Sequence, residues 1–250
     1  MPTILTWNMQ GGQGDKESKW TNLSRAINNP PSLGLEDAPD VIFLQECSTS
    51  PDWITPIAWN VNVLGVTCGS KNFGTRLRSK CYFIAHYTWG NVNDRVSFAT
   101  LIKTQPNLQA DGTTLSDDLH LNVMVIDPVA AAAGTRPMIG VNFPGARWFS
   151  MHAPSGVVAG FSRTYVSEMI NSMKPNNYVI GGDFNCEPRK LYNQANPIPQ
   201  GQLYTSGDST CNKAELDYFT SNNNAGAGTV LRNVRKIDLL SDHSAVAADH

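Results

Sequence analysis

The chain has 250 residues, a formal charge of −2 at pH 7 and 41% hydrophobic residues. This length can bury a sizeable core, and no Ser/Gly/Pro-rich linker or charge block divides it, so residues 1–250 are expected to form a single domain. The near-neutral charge excludes a protein that coats nucleic acid by bulk electrostatics, so no stable nucleic-acid coat is expected and any polyanion must be gripped locally. No run of about 18 apolar residues marks a membrane span.

In chain order, the first apolar run is Thr3 to Trp7. It begins so early that no room is left for a signal peptide, and the expectation is a cytoplasmic protein or a processed form that starts at an added Met. Trp20, Leu23 and Ile27 then fall at helical spacing. Short apolar or alternating runs follow at Val41 to Leu44, Val61 to Val66, Tyr82 to His86, Phe98 to Ile102, Leu121 to Ile126, Met138 to Val141 and Trp148 to His152, and these predict strands. A second helix is predicted where Phe161, Tyr165, Met169, Ile170 and Met173 share a face before Pro175, and Tyr178 to Ile180 predicts another strand. Frequent alternation favours two packed sheets over one parallel sheet. Ala130 to Gly134 reads as a connection and Asn222 to Gly228 as a mobile loop.

Lys71, Arg76, Arg78 and Lys80 form a basic stretch that could touch phosphates or simply be solvated surface. The five cysteines, Cys47, Cys68, Cys81, Cys186 and Cys211, have neither metal-site spacing nor the density of a disulfide framework. Cys68 and Cys81 could close a loop in an oxidising compartment, while Cys47 and Cys186 read as small buried hydrophobes.

Polar residues gather where strands end. Asn8 ends the first run, Glu46 the second and His152 another, while Asp242 and His243 precede a last short strand. After Tyr178-Val179-Ile180 comes Gly182-Asp183-Phe184-Asn185, which puts an acid and its amide two positions apart at the open end of a buried strand. Asp and Asn beside Gly also form ordinary turns. The recurrence at several strand ends nevertheless favours a ligand site outside one sheet edge. Glu46, Asp242 and Asn8 supply hard oxygens suited to Mg²⁺, with Mn²⁺ or Ca²⁺ as other occupants. His152 and His243 could divide labour, one taking a proton from attacking water and the other protonating or stabilising a leaving oxygen. Asp217 lies in an apolar strand fragment, where it is either a wet strand-edge acid or the hydrogen-bonded partner of a histidine.

Trp7-Asn8, Gln45-Glu46, His152, Gly182-Asp183-Phe184-Asn185, Leu216-Asp217-Tyr218 and Ser241-Asp242-His243 occur in the order of the endonuclease/exonuclease/phosphatase superfamily. The chain thus resembles that deoxyribonuclease I-like family over almost its whole length. Thr6 to Gly11, Glu17-Ser18-Lys19-Trp20 and Arg136 to Gly140 are similar to its branch of catalytic B subunits of cytolethal distending toxins.

The resemblance implies an α/β fold, a four-layer α/β/β/α sandwich of two mixed sheets flanked by helices. It implies metal binding by Glu46 with Asn8 and Asp242, His243 as general base oriented by Asp217, and Asp183 fixing the attacking water. His152 would act on the leaving side, Asn185 would bond the phosphate, and Arg136 and Arg95 would hold the scissile or neighbouring phosphate. The implied activity is a Mg²⁺-dependent DNA endonuclease, secreted with companion toxin delivery subunits and delivered to the host-cell nucleus. A phosphatase or phosphodiesterase acting on phosphoinositides or sphingomyelin, and a vestigial interaction module, are the alternatives. Ser244-Ala245 departs from the apolar residue and Pro that usually follow the family's Ser-Asp-His.

Overall fold

The computed structural model describes residues 3–10, 16–47, 55–56, 65–75, 78–88, 97–104, 123–127, 136–143, 146–155, 161–174, 176–193, 197–199, 202–222, 230–239 and 243–249. Its strands are β1 (Thr3–Asn8), β2 (Val41–Gln45), β3 (Thr55–Pro56), β4 (Val66–Asn72), β5 (Cys81–Thr88), β6 (Ser97–Thr104) and β7 (Val123–Ile126). They continue with β8 (Met138–Phe143), β9 (Ala146–His152), β10 (Tyr178–Asp183), β11 (Leu203–Tyr204), β12 (Asp217–Ser221), β13 (Arg232–Ile237) and β14 (Ala245–Asp249). The helices are α1 (Lys16–Asn28), α2 (Phe161–Ser172) and α3 (Pro188–Tyr192). The first sheet runs β13-β14-β1-β2-β6-β5-β4-β3 and the second β11-β12-β10-β9-β8-β7. Both are mixed, since β1 pairs parallel with β2 and β9 with β10 while the other pairings are antiparallel.

Side-chain alternation creates the layers. From β1, Ile4 points between the sheets and packs with Phe43, Trp148, Val179 and Phe219. Its neighbours Leu5 and Trp7 point the other way, onto Trp20, Leu23 and Ile27 of α1. In the second sheet Val179 faces inward, whereas Tyr178 and Ile180 face Tyr165, Met169 and Ile170 of α2. The result is the expected α/β/β/α sandwich. Each fully buried Ile, Leu, Val or Phe side chain among them contributes about 1.5–3 kcal/mol of burial.

One close approach explains Gly181: a methyl group there would collide with Phe43 of the facing sheet and lie 2.9 Å from the Phe219 ring. Phe43 and Phe219 meet across the sheets at this point, with centroids 6.4 Å apart.

Several expectations change. The run expected to end at Val66 instead opens β4 there, with Gly65 in a turn and residues 61–64 outside the described set. The structure also contains β13, whose sequence Arg232-Asn233-Val234-Arg235-Lys236-Ile237 lacks a clean apolar alternation. It is a half-wet edge strand with a register shift between Arg232 and Arg235, so charge on its open face is tolerated.

All five cysteines are buried free thiols. Cys68 pairs with Ala85 and Cys81 with Asn72, four positions away along the β4–β5 ladder, so those two side chains are not juxtaposed for a bond. Burial pushes the Cys47 thiol up to about 12 and that of Cys186 up to about 11, as suits inert packing residues.

Of the basic stretch, Lys71, Arg78 and Lys80 lie at the wrong end of the sheet for phosphate contact at the strand-end site. Cys81 pairs with Thr104 and Ile102 with Val41, whereas Glu46 follows Gln45, which pairs with Phe98 at the other end of β6. Lys80 is also engaged, its Nζ donating to the Ile27 carbonyl at 2.7 Å and lying 3.9 Å from Asp37. Arg76, Ala130 to Gly134 and residues 223–228 of the Asn/Gly loop lie outside the described residues.

Candidate active site

Strand register assembles the first half of the site. Asp183, the last residue of β10, pairs with His152 of β9 on one side and with Asp217 of β12 on the other. Directly paired residues share a face. Counting back by twos from Asp183 through Gly181 to Val179 shows that this face looks at the other sheet.

The first sheet supplies the facing groups from its own strand ends. Asn8 closes β1, and its Nδ2 donates to Asp183 Oδ2 at 2.9 Å while its Oδ1 accepts from Gln10 N at 2.9 Å. Glu46 follows β2 in a left-handed turn, φ 49°, and brings Oε1 to 3.6 Å from His152 Nε2. A non-glycine residue held at positive φ is strained, and such strain is commonly held where it aims a functional side chain. His243 sits two residues before β14, with Nδ1 2.8 Å from Asp217 Oδ2 and 3.9 Å from Asp183 Oδ2.

The turn reading and the site reading of Gly182-Asp183-Phe184-Asn185 prove compatible. Asn185 adopts φ 45°, and its main-chain N–H donates to Asp183 Oδ1 at 2.8 Å, an Asx-type turn. Its side-chain Nδ2 donates to the Ala153 carbonyl at 2.8 Å, just beyond His152. Phe184 stacks on Tyr218 at a centroid distance of 4.1 Å, anchoring the turn in the outer core.

Arg136 also joins this edge. Its Nη1 lies 2.7 Å from His152 Nδ1 and its carbonyl accepts the Tyr165 hydroxyl of α2. Burial lowers the Arg136 pKa, while the nearby Glu46 and Asp183 carboxylates work the other way.

Electrostatics distinguish the members. His152 is held well below the usual imidazole range by burial, then by the Arg136 cation and by His243. The Asp183 carboxyl is pushed upward by burial and by the adjacent Asp217, against the opposing effect of His243 and of the donors Asn185 N and Asn8 Nδ2. Asp217 is fully buried and bonded to a histidine, so the wet strand-edge alternative is set aside.

Asp183, Glu46 and Asn8 offer oxygens that suit a hard divalent ion, beside a histidine nitrogen. Ligand atoms of Asp183, Asp217 and His243 lie within 4.8 Å of one another, and Glu46 and Asn8 add oxygens at the same edge. A buried acid whose charged form is disfavoured, as at Asp183, is a group that a cation would stabilise. Asp242 and Arg95 lie outside the described residues. The strand ends flanking the Arg95 segment, Thr88 and Ser97, pair with each other at the Glu46 end of the sheet.

A polar belt lies one layer below, among residues with no candidate role in the sequence. Thr6, Gln45 and Ser150 are fully buried between the sheets. Gln45 Nε2 donates to Ser150 Oγ at 2.9 Å, and Ser150 Oγ donates to the Leu44 carbonyl at 2.9 Å. Thr6 Oγ1 lies 3.5 Å from Gln45 Oε1. These residues precede Asn8, Glu46 and His152 by two, one and two positions, so hydrogen bonding across the sheets fixes the strand ends that carry the site. The signal available was polar residues on inward-facing strand positions.

No family model matches the chain. Over 97% of its length and 89% of the relative, it is 25% identical to the cytolethal distending toxin B subunit of Escherichia coli. It is also 25% identical to the Salmonella typhi homolog of that B subunit, over 76% of this chain and 66% of that protein. Among solved structures, cytolethal distending toxin from Actinobacillus actinomycetemcomitans superposes with a TM-score of 0.74 at 18% identity, covering 99% of this chain and 97% of that one. CdtB, described as the biologically active subunit of the toxin, gives 0.74 at 22% identity with the same coverage, and humanized D. rerio TDP2 gives 0.52 at 12%. In fold the chain is therefore deoxyribonuclease I-like, and in sequence it is a relative of the cytolethal distending toxin B subunits across nearly all of its length.

Proposed function

We propose that the chain is a divalent-metal-dependent phosphodiester hydrolase, a DNA endonuclease serving as the catalytic subunit of a cytolethal distending toxin-type genotoxin. The observation that carries this reading is the convergence of two histidines, two buried aspartates, Glu46, two asparagines and Arg136 at one edge of both sheets. Similarity to named toxin B subunits supports the choice of substrate and the companion delivery subunits. Residues 1–250 would act as one catalytic domain, secreted and carried to the nucleus of a host cell.

In this mechanism the Asp217 carboxylate accepts a hydrogen bond from His243 Nδ1–H and leaves Nε2 basic, so His243 takes a proton from the attacking water. Asp183, held by Asn8 and Asn185, fixes that water. A guanidinium can only donate, so Arg136 makes His152 Nδ1 the acceptor and leaves the ring proton on Nε2. Neutral His152 then donates Nε2–H to the leaving or a non-bridging oxygen, while Arg136 and the Asn185 amide balance charge on the phosphoryl group. Glu46, Asp183 and Asn8, with Asp242, would hold Mg²⁺, which when bound supplies Lewis-acid stabilisation of phosphoryl oxygens.

Supercoiled plasmid incubated with the protein and Mg²⁺ should become nicked circles, and EDTA should suppress this. Nicking no greater than that of a H152A control would overturn the reading. Phosphate release from a phosphoinositide panel with plasmid left intact would redirect it to lipid substrates.

A further inference from the structure

We propose that Thr210 is a positioning residue that sets the spacing of the Asp217–His243 pair, an inference that deepens the hydrolase reading and takes its kinetic meaning from it. Thr210 is buried at 3% exposure, outside every motif recognised in the sequence. Its Oγ accepts two main-chain hydrogen bonds, from Leu216 N at 2.9 Å and from Asp217 N at 3.0 Å. Its own carbonyl accepts from Ser244 N at 2.9 Å, the residue immediately after His243. One threonine therefore grips the backbone of the carboxylate on one sheet and the segment carrying its histidine beside the other.

Thr210 is itself held in place. Its N–H donates to the Ala214 carbonyl at 2.9 Å, and Cys211 and Ala214 bridge each other around Asn212 and Lys213 at φ 45° and 67°. Two successive positive φ values make a tight primed hairpin turn, whose closed geometry leaves little freedom at its base. The Leu216 carbonyl in turn accepts Phe184 N at 2.9 Å, so the clamp is continuous with the turn holding Asp183 and Asn185. Asp217 and His243 come from segments 26 residues apart, and their 2.8 Å bond depends on both backbones being fixed. Loss of the Thr210 hydroxyl removes the acceptor of the buried Asp217 N–H and of the part-buried Leu216 N–H just before β12, and the strand must shift to resolve them.

The test compares T210V and T210A, which remove the hydroxyl, with T210S, which keeps it. Expected is a fall of about 10- to 100-fold in kcat for T210V and T210A with KM little changed, and T210S close to wild type. Nuclear magnetic resonance of the His243 Nδ1 proton, hydrogen-bonded to Asp217, should show an upfield shift or loss in T210V and T210A but not in T210S. A wild-type-like kcat and Nδ1 signal in folded T210V or T210A would overturn the proposal, and so would a T210S as impaired as the others. The Nδ1 signal is read without substrate, so it decides the positioning role even if wild type leaves plasmid intact, a result that would count against the nuclease reading alone.

Discussion

Arg136 donates to His152: the guanidinium Nη1 is 2.7 Å from imidazole Nδ1, so the ring's single proton sits on Nε2, which lies 3.6 Å from Glu46 Oε1 and 3.7 Å from Asp183 Oδ2. The sequence leaves open whether this histidine protonates a leaving oxygen or stabilises it. A ring kept neutral by burial and an adjacent cation is suited to the second task.

Replacing Arg136 with Ala should therefore do two things. The reaction loses a cation near the phosphoryl group, with a fall of about 10²–10³-fold in kcat. Removing the cation also lets the His152 pKa rise toward the ordinary imidazole value, because Arg136 is one cause of its depression. If the neutral ring is the active form, the acid limb of the pH–rate profile moves to higher pH in R136A. An acid limb at the same pH in both proteins would show that Arg136 does not set the ring's charge.

Asp183 makes the stability of the fold depend on pH. Its carboxyl is pushed above the ordinary value of 3.8, to about 7, chiefly by burial. The folded state therefore binds a proton that the unfolded state releases. This group's contribution is most favourable below the unfolded pKa and is lost as pH rises through the folded one. His152 works in the opposite direction: its depressed pKa makes the fold weaken as pH falls below about 6.5. In EDTA, wild type compared with D183N should lose melting temperature progressively between about pH 4 and pH 7. A constant difference across that range would refute an elevated Asp183 pKa.

The candidate site is legible in the sequence because its polar groups sit on strand ends, where an apolar run stops at a polar residue. Asn8, Glu46, His152 and Asp183 all carry that mark, and the register then brings them together. What the sequence conceals is lateral support. Thr6, Gln45 and Ser150 are ordinary polar residues in their own strands, and only sheet-on-sheet packing makes them a cross-link. Trp20 is legible as an apolar helix position, yet its indole also donates to the Cys47 carbonyl at 3.1 Å, next to Glu46. β13 is hidden because an edge strand can stay partly wet, and Arg232 and Lys236 are both exposed on it. The basic stretch misleads for a similar reason: nothing local tells which end of a strand faces the ligand.

Divalent metal should stabilise the fold by mass action. At about 100 times its Kd, a ligand that binds only the native state contributes about 2.7 kcal/mol. For a chain of this length that is a rise of roughly 5–10 °C in Tm. Differential scanning fluorimetry with Mg²⁺ and Mn²⁺ should show the rise in wild type and little in E46Q or D183N. An equal rise in all three would locate binding elsewhere.

Asp217→Asn tests the histidine partnership. The substitution keeps the side chain's shape in a fully buried position but removes the anion that stabilises the charged His243 ring. A loss on the order of 10³–10⁴-fold in kcat is expected from comparable carboxylate–histidine pairs. Because Asp217 is also a cause of the raised Asp183 pKa, D217N should lower it, which carboxyl carbon resonances can follow. Full activity in D217N would remove Asp217 from the proton-transfer path.

Gly182→Ala probes the strand junction itself. A Cβ built on Gly182 would run into the Met151 carbonyl oxygen and lie 2.8 Å from its carbon, both backbone atoms of the neighbouring strand. Side chains can rotate away from such a clash, but a β ladder can relieve it only by separating. The two strands carry His152 and Asp183 immediately beyond this point, paired with each other in the ladder. G182A should therefore cost at least the 1–3 kcal/mol typical of overpacking, measurable by urea unfolding. It should also lower kcat by more than that stability loss explains, under conditions where the variant remains folded. G181A supplies the comparison, since its added methyl meets the Phe43 and Phe219 rings rather than backbone and strains the core between the sheets one residue further from Asp183. If both variants lose stability and only G182A loses turnover, the glycine of the motif serves the alignment of His152 with Asp183; equal turnover in the two would assign Gly182 to packing alone.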